Sequence, residues 1–484
     1  VRLTEEQIEA VDAFAGGSDL KVFAFAGAGK TTTLQAMADE ARGPGLYLAF
    51  NRSIAADARA AFPEGTACST MHALAFRALR GEFGFAKLTE TPTVADLIEI
   101  LRLKERRHGT ASLGARAQAM LVHSALQSFM HGDAGELSAA DVPLSGALAM
   151  APVGDCLALI ADIVAKGREL WAQMADPFNP VPLGHDGYLK LWAQGQPRLE
   201  ADHIFLDEAQ DTNPVVLGVV RRQDAQLVYV GDPHQRIYAW RGAVDVMTQL
   251  PAGRPIHLTR SFRFGETIAA AATSVIATLG EPRRITGNPA VASTIGPCVP
   301  DAIIARTNAG VVDAVLDVLM IGERPHVVGG TGELLRLLAG VQELKEGNAP
   351  TAPELAGYRS WSEVEAASRE RASRLRTLVR LVEEYGADRL MSALARVEPD
   401  DAEADVVITT THRAKGRQWD RVQLRDDFAC SVGAEVFDPA ELRLLYVALT
   451  RARLAVDVPD GLIDGADGWA VQSAGDERVA TAGA

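Results

Sequence analysis

Cysteine is scarce in this chain. Its four residues, Cys68, Cys156, Cys298 and Cys430, lie far apart and form no C-x-x-C pair. Such spacing supports neither a disulfide framework nor a zinc site and leaves buried thiols as the reading. Long apolar runs are also missing: no stretch approaches the ~20 residues a spanning helix needs, and the N-terminus carries no basic, apolar, small-residue leader. The expectation is a soluble, cytoplasmic protein with no membrane partner. Positive charge is in deficit, with 48 Lys and Arg against 63 Asp and Glu and a net charge of −15. That balance argues against a protein that coats nucleic acid passively, although a locally positive groove suffices for phosphate contacts. The basic residues are mainly arginine, which grips phosphate bidentately; with abundant alanine this suggests a GC-rich bacterial or phage genome.

What is present is a globular chain. At 484 residues and 48% hydrophobic content it has the length for roughly two to four domains with substantial cores. No repeat or low-complexity tract interrupts it. Short β-branched or aromatic runs recur before loops rich in Gly, Asp or Asn: Val22 to Phe25, Leu46 to Phe50, His203 to Leu206, Gln226 to Val230, Ala302 to Ala305 and Val406 to Thr409. Helical stretches between them predict parallel α/β sheets with crossover helices. Residues 85–195 and 336–399 read as helical and strand-poor, as insertions into two α/β cores. The last dozen residues read as frayed.

The strongest local signal runs from Val22 to Thr32, VFAFAGAGKTT. A buried strand enters a loop in which Ala24 stands at the first glycine position of a phosphate-binding pattern. Ala26, Gly27, Ala28 and Gly29 supply a backbone that can converge on phosphate oxygens, and a helix beginning at Lys30 adds its dipole. Lys30 is expected on the β- and γ-phosphates of ATP and Thr31 on Mg²⁺, with Thr32 beside them. The bland alternative is a glycine-rich strand-to-helix turn.

A second element strengthens the first. His203-Ile-Phe-Leu delivers Asp207 and Glu208 to the C-terminal edge of a strand, where open α/β sheets bind ligands. Asp207 is expected to hold Mg²⁺ and Glu208 to act as general base toward water. On a surface the same acids would be a solvated pair. A third element, VGDPHQRIYAWRG, begins at Val230 after another strand. Gln235 is placed to sense the γ-phosphate, and Tyr238, Trp240 and Arg241 form an aromatic–basic cluster suited to base stacking and phosphate contact. Alone, that cluster would read as core packing.

Together these motifs resemble superfamily 1 DNA helicases of the UvrD/Rep type, from about Leu3 to Arg453. The resemblance implies two RecA-like P-loop NTPase motor domains with parallel sheets and helical insertions. In LTEEQIEAV, which is similar to the family's Q motif, Gln7 would read adenine. LAFNRS and STMHALA look like early DNA-contacting motifs, making Phe50, Asn51, Thr70 and His72 candidates. LTRSFR from Leu258 would place Phe262 on adenine and Arg263 on the γ-phosphate. TTHRAKGRQW from Thr410 looks like motif five, with His412 and Arg413 toward DNA and Gln418 near the nucleotide; LLYVALTRA looks like motif six, with Arg451 as a second arginine finger. As isolated residues, Arg263 and Arg451 would read as surface or salt-bridge arginines. LAFNRSIA, HDGYLKLW from His185 and DDF from Asp426 resemble the F-box DNA helicase branch and its phage and bacterial relatives, with no F-box segment.

The implied protein is an ATP- and Mg²⁺-dependent monomeric motor, moving 3′ to 5′ on single-stranded DNA and opening single-strand/duplex junctions. Its rivals are a translocase with little unwinding and a DNA-binding module with weakened ATPase. The sequence departs from the family at Gln418, where glutamate is usual, and in a second insertion of fewer than 80 residues where relatives carry a large subdomain. The expected division is 1–84, 196–255 for the first motor domain with an insertion at 85–195; 256–335, 400–460 for the second with an insertion at 336–399; and a tail at 461–484.

Overall fold

Two families of parallel strands organise the chain. The computed structural model describes residues 2–144, 148–238, 247, 253–355, 357–369, 373, 375–428, 436–460, 462–463 and 470–471. These fall into two compact units. The first holds described residues up to 23 and from 30 to 257; the second holds 24–29 and those from 258 onward.

In the first unit, α1 (Glu5–Ala15) precedes β1 (Leu20–Ala24) and α2 (Lys30–Glu40). Then come β2 (Gly45–Leu48), α3 (Arg52–Ala61), β3 (Thr66–Ser69) and α4 (Met71–Leu79). The helical insertion contains α5 (Phe85–Thr89), α6 (Val94–Ile100), α7 (Ala115–His131), α8 (Val153–Ala175) and α9 (Gly184–Gln194). It also contains an antiparallel hairpin that the sequence pattern did not announce, β4 (Arg106–His108) with β5 (Ala111–Leu113). Its strands are three residues each and mostly polar, too short for a period-two signal. The chain returns through β6 (His203–Leu206), α10 (Pro214–Arg221), β7 (Gln226–Gly231) and β8 (Arg254–Leu258).

The sheet order is β3-β2-β6-β7-β1-β8. Pairings β2–β3, β2–β6, β6–β7 and β1–β7 are all parallel. Every residue of β2 and of β6 is buried, as expected of strands covered on both faces and explaining their continuous apolar runs. Parallel pairing also brings the C-terminal ends of β1, β2, β3, β6 and β7 to one edge, and the first unit's candidate residues other than Gln7 follow those ends. The insertion shares a core with the sheet: Leu126, Phe129, Leu159 and Tyr188 cluster with Leu48, Ile204 and Leu206.

The second unit contains α11 (Glu266–Thr278), β9 (Thr294–Ile295), β10 (Ala302–Ala305), α12 (Asn308–Met320) and β11 (Pro325–Val327). Its insertion is helical as expected, with α13 (Gly332–Lys345), α14 (Trp361–Ser368), α15 (Arg376–Tyr385) and α16 (Ala387–Leu394). The sheet then resumes with β12 (Val406–Thr410), α17 (Thr411–Ala414) and β13 (Trp419–Leu424). After β14 (Val436–Phe437) come α18 (Pro439–Leu449), β15 (Ala452–Asp457) and β16 (Ala470–Val471). Its main sheet runs β11-β12-β10-β13-β15-β9, with parallel pairings throughout.

One buried carboxylate closes the second unit's sheet edge. Asp427 accepts hydrogen bonds from the backbone N–H groups of Arg306 and Thr307, at 2.9 and 2.8 Å, and from the Thr307 hydroxyl at 2.9 Å. These donors lead directly into α12, whose N-cap is Thr307. Gly310 has no Cβ because one would lie 2.1 Å from Asp427 Oδ2. No helix among the described residues is long and apolar enough to cross a membrane.

Candidate nucleotide and nucleic-acid site

The acid pair sits where the strand order predicts. β6 ends at Leu206, and Asp207 and Glu208 follow immediately. Glu208 adopts a left-handed backbone, φ 50° and ψ 42°, which is costly for a residue with a Cβ and is a feature concentrated at functional sites. This turn separates the two carboxylates. Asp207 is buried, with Oδ2 accepting from Tyr47 Oη at 2.6 Å and Oδ1 from the Glu208 backbone N–H at 2.8 Å. Glu208 instead meets the Lys30 ammonium through Oε1 and accepts from Gln210 Nε2 at 2.5 Å through Oε2.

The electrostatics follow from this packing. Burial alone would depress the Lys30 pKa, but the Glu208 and Asp207 carboxylates more than offset it and hold the ammonium protonated. Burial raises the Asp207 pKa, with Glu208 adding to the rise and Lys30 opposing it. Tyr47 is pushed far above its ordinary value, first by burial and then by Asp207, so it remains a donor.

Gln210 links the acids to the next strand. Its Oε1 accepts from the Asp232 backbone N–H at 3.0 Å. A Cβ on Gly231 would stand 2.2 Å from that same oxygen, which explains glycine at the end of β7. Asp232 in turn accepts from Gln235 Nε2 at 2.8 Å and from the His234 backbone N–H at 3.0 Å. The expected γ-phosphate sensor is therefore tied to Glu208 through Asp232 and Gln210. Gln7 is buried in α1: it completes a capping box with Thr4 and donates to Thr33 Oγ1 of α2 at 3.1 Å.

Along the glycine loop, Gly27 and Gly29 have φ of 76° and 79°, backbone that only glycine adopts freely, and α2 starts at Lys30. Residues 24–29 group with the second unit. There the Ala26 N–H donates to Tyr446 Oη at 3.0 Å, and the Phe262 N–H to the Gly27 carbonyl at 2.8 Å. A Cβ on Gly27 would collide with Ser261 Oγ and Arg263 Cβ, at 2.5 and 2.7 Å.

Also in the second unit, the structure brings the two expected finger arginines to one threonine. Arg263 donates to the Thr450 carbonyl at 2.8 Å, and Arg451 to the Thr450 hydroxyl at 3.2 Å. Arg451 is only 2% exposed and also donates to the carbonyls of Val447 and Arg417, at 2.9 and 3.2 Å. Phe262 is 41% exposed, with the Arg260 guanidinium 5.9 Å from its ring centre. Gln418 is exposed. Arg413 donates to the Val328 carbonyl and pairs with Glu333, at 2.7 and 2.8 Å, while His412 lies half-buried in α17.

The expected DNA-side residues divide by role. Phe50, 45% exposed, stacks against Tyr238 with ring centres 5.9 Å apart and planes 16° from parallel. The side-chain oxygens of Asn51 and Thr70 cap α3 and α4, accepting from the Ile54 and Ala73 N–H groups at 2.9 and 3.1 Å. His72 faces Asp186. Trp240 and Arg241 lie outside the described residues, as does Cys430.

The donor set fits a nucleoside triphosphate with Mg²⁺. Among the described residues no group of three His, Cys, Asp or Glu could hold a metal by itself. An ion bound by one carboxylate, a hydroxyl and substrate phosphates needs no such group, and that is the habit of Mg²⁺.

Residues 189–250 match the UvrD/REP helicase N-terminal domain, and residues 405–458 match the UvrD-like helicase C-terminal domain. The chain is 30% identical to F-box DNA helicase protein 1 of Schizosaccharomyces pombe over 93% of its own length and 56% of the relative's. It is 29% identical to F-box DNA helicase 1 of Gallus gallus over 94% of its length and 48% of the relative's. A shorter match, 37% identity over 90 residues, joins it to the ATP-dependent DNA helicase UvrD1 of Mycobacterium tuberculosis; it covers 16% of this chain and 12% of that protein.

This chain carries the N- and C-terminal domains of UvrD-like helicases.

It spans about half the length of the F-box helicases it matches. Its two α/β units with parallel sheets are the RecA-like architecture of the UvrD-like family. Several residues of this UvrD-like site escaped the sequence reading. Tyr47 lay unmarked inside the apolar run that became β2. Asp232 stood within a motif already singled out and Gln210 two residues past Glu208, but only the strand order shows them meeting.

Proposed function

We propose that this protein is an ATP-dependent motor that moves along single-stranded DNA and unwinds duplex DNA, with 3′-to-5′ polarity. The observation that carries the reading is the separated acid pair: Glu208 on Lys30, and Asp207 buried on Tyr47. Bound ATP with Mg²⁺ supplies the phosphoryl bond whose hydrolysis drives movement. Lys30 would hold the β- and γ-phosphates, Thr31 and Asp207 the Mg²⁺, and Ala26, Gly27, Ala28, Gly29 and Thr32 the phosphate oxygens through their N–H groups. Glu208, released from Lys30 as the phosphates take its place, would accept the proton of the attacking water.

Gln235 would report on the γ-phosphate through the Asp232–Gln210 chain, and Arg263 and Arg451 would stabilise developing phosphate charge. Gln7 and Phe262 would recognise adenine, with Gln418 near the sugar. Phe50 and Tyr238 offer a stacking platform for successive bases, which tolerates any sequence because every base has a π-face. Thr70, Asn51, His72, His412, Trp240 and Arg241 complete the proposed strand path. The motor would act as a monomer at single-strand/duplex junctions in the cytoplasm of a bacterial or phage-infected cell, a setting supported by the arginine- and alanine-rich composition. Its domains would follow the expected division, with motor halves at 1–84, 196–255 and at 256–335, 400–460.

Strand displacement tests this reading. Duplexes with a 3′ tail, a 5′ tail or none are incubated with ATP or a non-hydrolysable analogue. Displacement of the 3′-tailed duplex with ATP alone is expected. Movement along single strands without displacement of any duplex would replace the helicase by a translocase.

A further inference from the structure

The segment HDGYLKLW forms α9, and the nucleotide chemistry makes no use of it. Asp186, in the first turn of α9, lies between two imidazoles from other helices. Its Oδ1 is 3.6 Å from Nε2 of His72, the second residue of α4. Its Oδ2 is 3.2 Å from Nε2 of His131, the last residue of α7. The trio is partly open to solvent, with side-chain exposures of 40% for His72, 40% for Asp186 and 22% for His131. Behind it, the buried ring of Tyr188 meets His72 edge-on, with centres 5.9 Å apart and planes at 84°, and meets Phe76 at 5.8 Å. One helix thus supplies both the carboxylate and the aromatic face that locate His72.

We propose that Asp186 is a positioning residue for single-stranded DNA binding, fixing His72 and His131 as a pair of imidazoles that face the phosphodiester backbone. The inference rests on reading His72 as a DNA contact, and it adds His131 to the strand path. With Nε2 directed at the carboxylate, each ring keeps Nδ1 for a second partner. A carboxylate that orients imidazoles in this way acts as it does behind metal- and substrate-bound histidines, by setting the ring's rotation and tautomer. His131 and then His72 hold the Asp186 carboxyl well below the usual carboxylate range, so it stays charged in the working pH range. The trio reads as a strand-facing device and not as a metal site, since the two nitrogens point at different oxygens of one carboxylate.

The test measures affinity for a fluorescent oligothymidylate by anisotropy, with the full chain and the variants H72A, H131A, D186N, D186E and H72A/D186N. Half-saturation of DNA-stimulated ATP hydrolysis is measured alongside. D186N and H131A are expected to weaken binding about tenfold, the scale of a lost charge-assisted hydrogen bond. The double variant should lose less than the sum of the H72A and D186N losses, because Asp186 acts in part through His72. D186E, which keeps the carboxylate, should recover part of the loss, and it carries the cycle if D186N melts early. Additive losses, or D186N binding like the unmodified protein while H72A is weakened, would overturn the positioning role. H72A binding like the unmodified protein would instead defeat the reading of His72 as a DNA contact.

Discussion

Tyr47 Oη donates to Asp207 Oδ2 at 2.6 Å, from the middle of one buried strand to the residue just past the end of its neighbour. The bond crosses the β2–β6 pair, whose register places Tyr47 beside Phe205. It anchors the carboxylate expected to hold Mg²⁺ without using Glu208. Replacing Tyr47 by Phe leaves a buried carboxylate oxygen without its donor, at a cost of about 2 kcal/mol. Urea unfolding of Y47F should show that loss, and the Mg²⁺ concentration for half-maximal ATP hydrolysis should shift. Stability and Mg²⁺ dependence both unchanged would remove Tyr47 from the account.

Glu208 should be separable from nucleotide binding. E208Q keeps the side chain's shape and its hydrogen bond with Gln210 but loses the base. Hydrolysis is expected to fall by about 10²- to 10⁴-fold, the usual contribution of general base catalysis, while a fluorescent ATP analogue still binds. Parallel loss of binding and turnover would assign Glu208 to structure.

Exposed Phe50 and half-buried Tyr238 stack on one another in the first unit. F50A should weaken single-stranded DNA binding by about 1–3 kcal/mol, with little preference among base sequences. Fluorescence anisotropy with homopolymeric oligonucleotides checks both parts.

Asp427 gives a pH prediction in the second unit. Burial raises its pKa against the hydrogen bonds from Arg306 and Thr307, which lower it. A raised folded-state pKa means that the folded protein holds this proton where the unfolded chain, near pH 4, has begun to release it. Its contribution is therefore fully present below about pH 4 and is lost as pH rises through the folded value. D427N should flatten that part of the stability-versus-pH curve. D427A, which strands three donors, should cost about 3 kcal/mol or more at neutral pH.

Legibility varied with the range of the signal. The strands that lead into the site were readable because buried parallel strands are continuous apolar runs, and β6 occupies His203–Leu206 as its sequence suggests. Lys30, Asp207 and Glu208 stand out by their spacing just after strands, and the fold brings the three side by side. The network holding them was not legible. Tyr47 and Asp207 are far apart in sequence, and only strand order joins them. The same is true of Asp186, which appeared merely as part of a resemblance until the fold set it between His72 and His131. Asn51 and Thr70 stood out in the sequence as candidate DNA contacts, and the fold adds that their side-chain oxygens cap helices. A cap residue at the end of a strand looks the same in sequence whether its oxygen serves the helix or a ligand.

The most direct test of the central claim is the rate of ATP hydrolysis with and without single-stranded DNA, in the unmodified protein and in K30A. The account predicts hydrolysis strongly stimulated by single-stranded DNA and reduced at least about 100-fold by the substitution, with the fold retained by circular dichroism. Hydrolysis indifferent to DNA, or surviving in K30A at the unmodified rate, would contradict it.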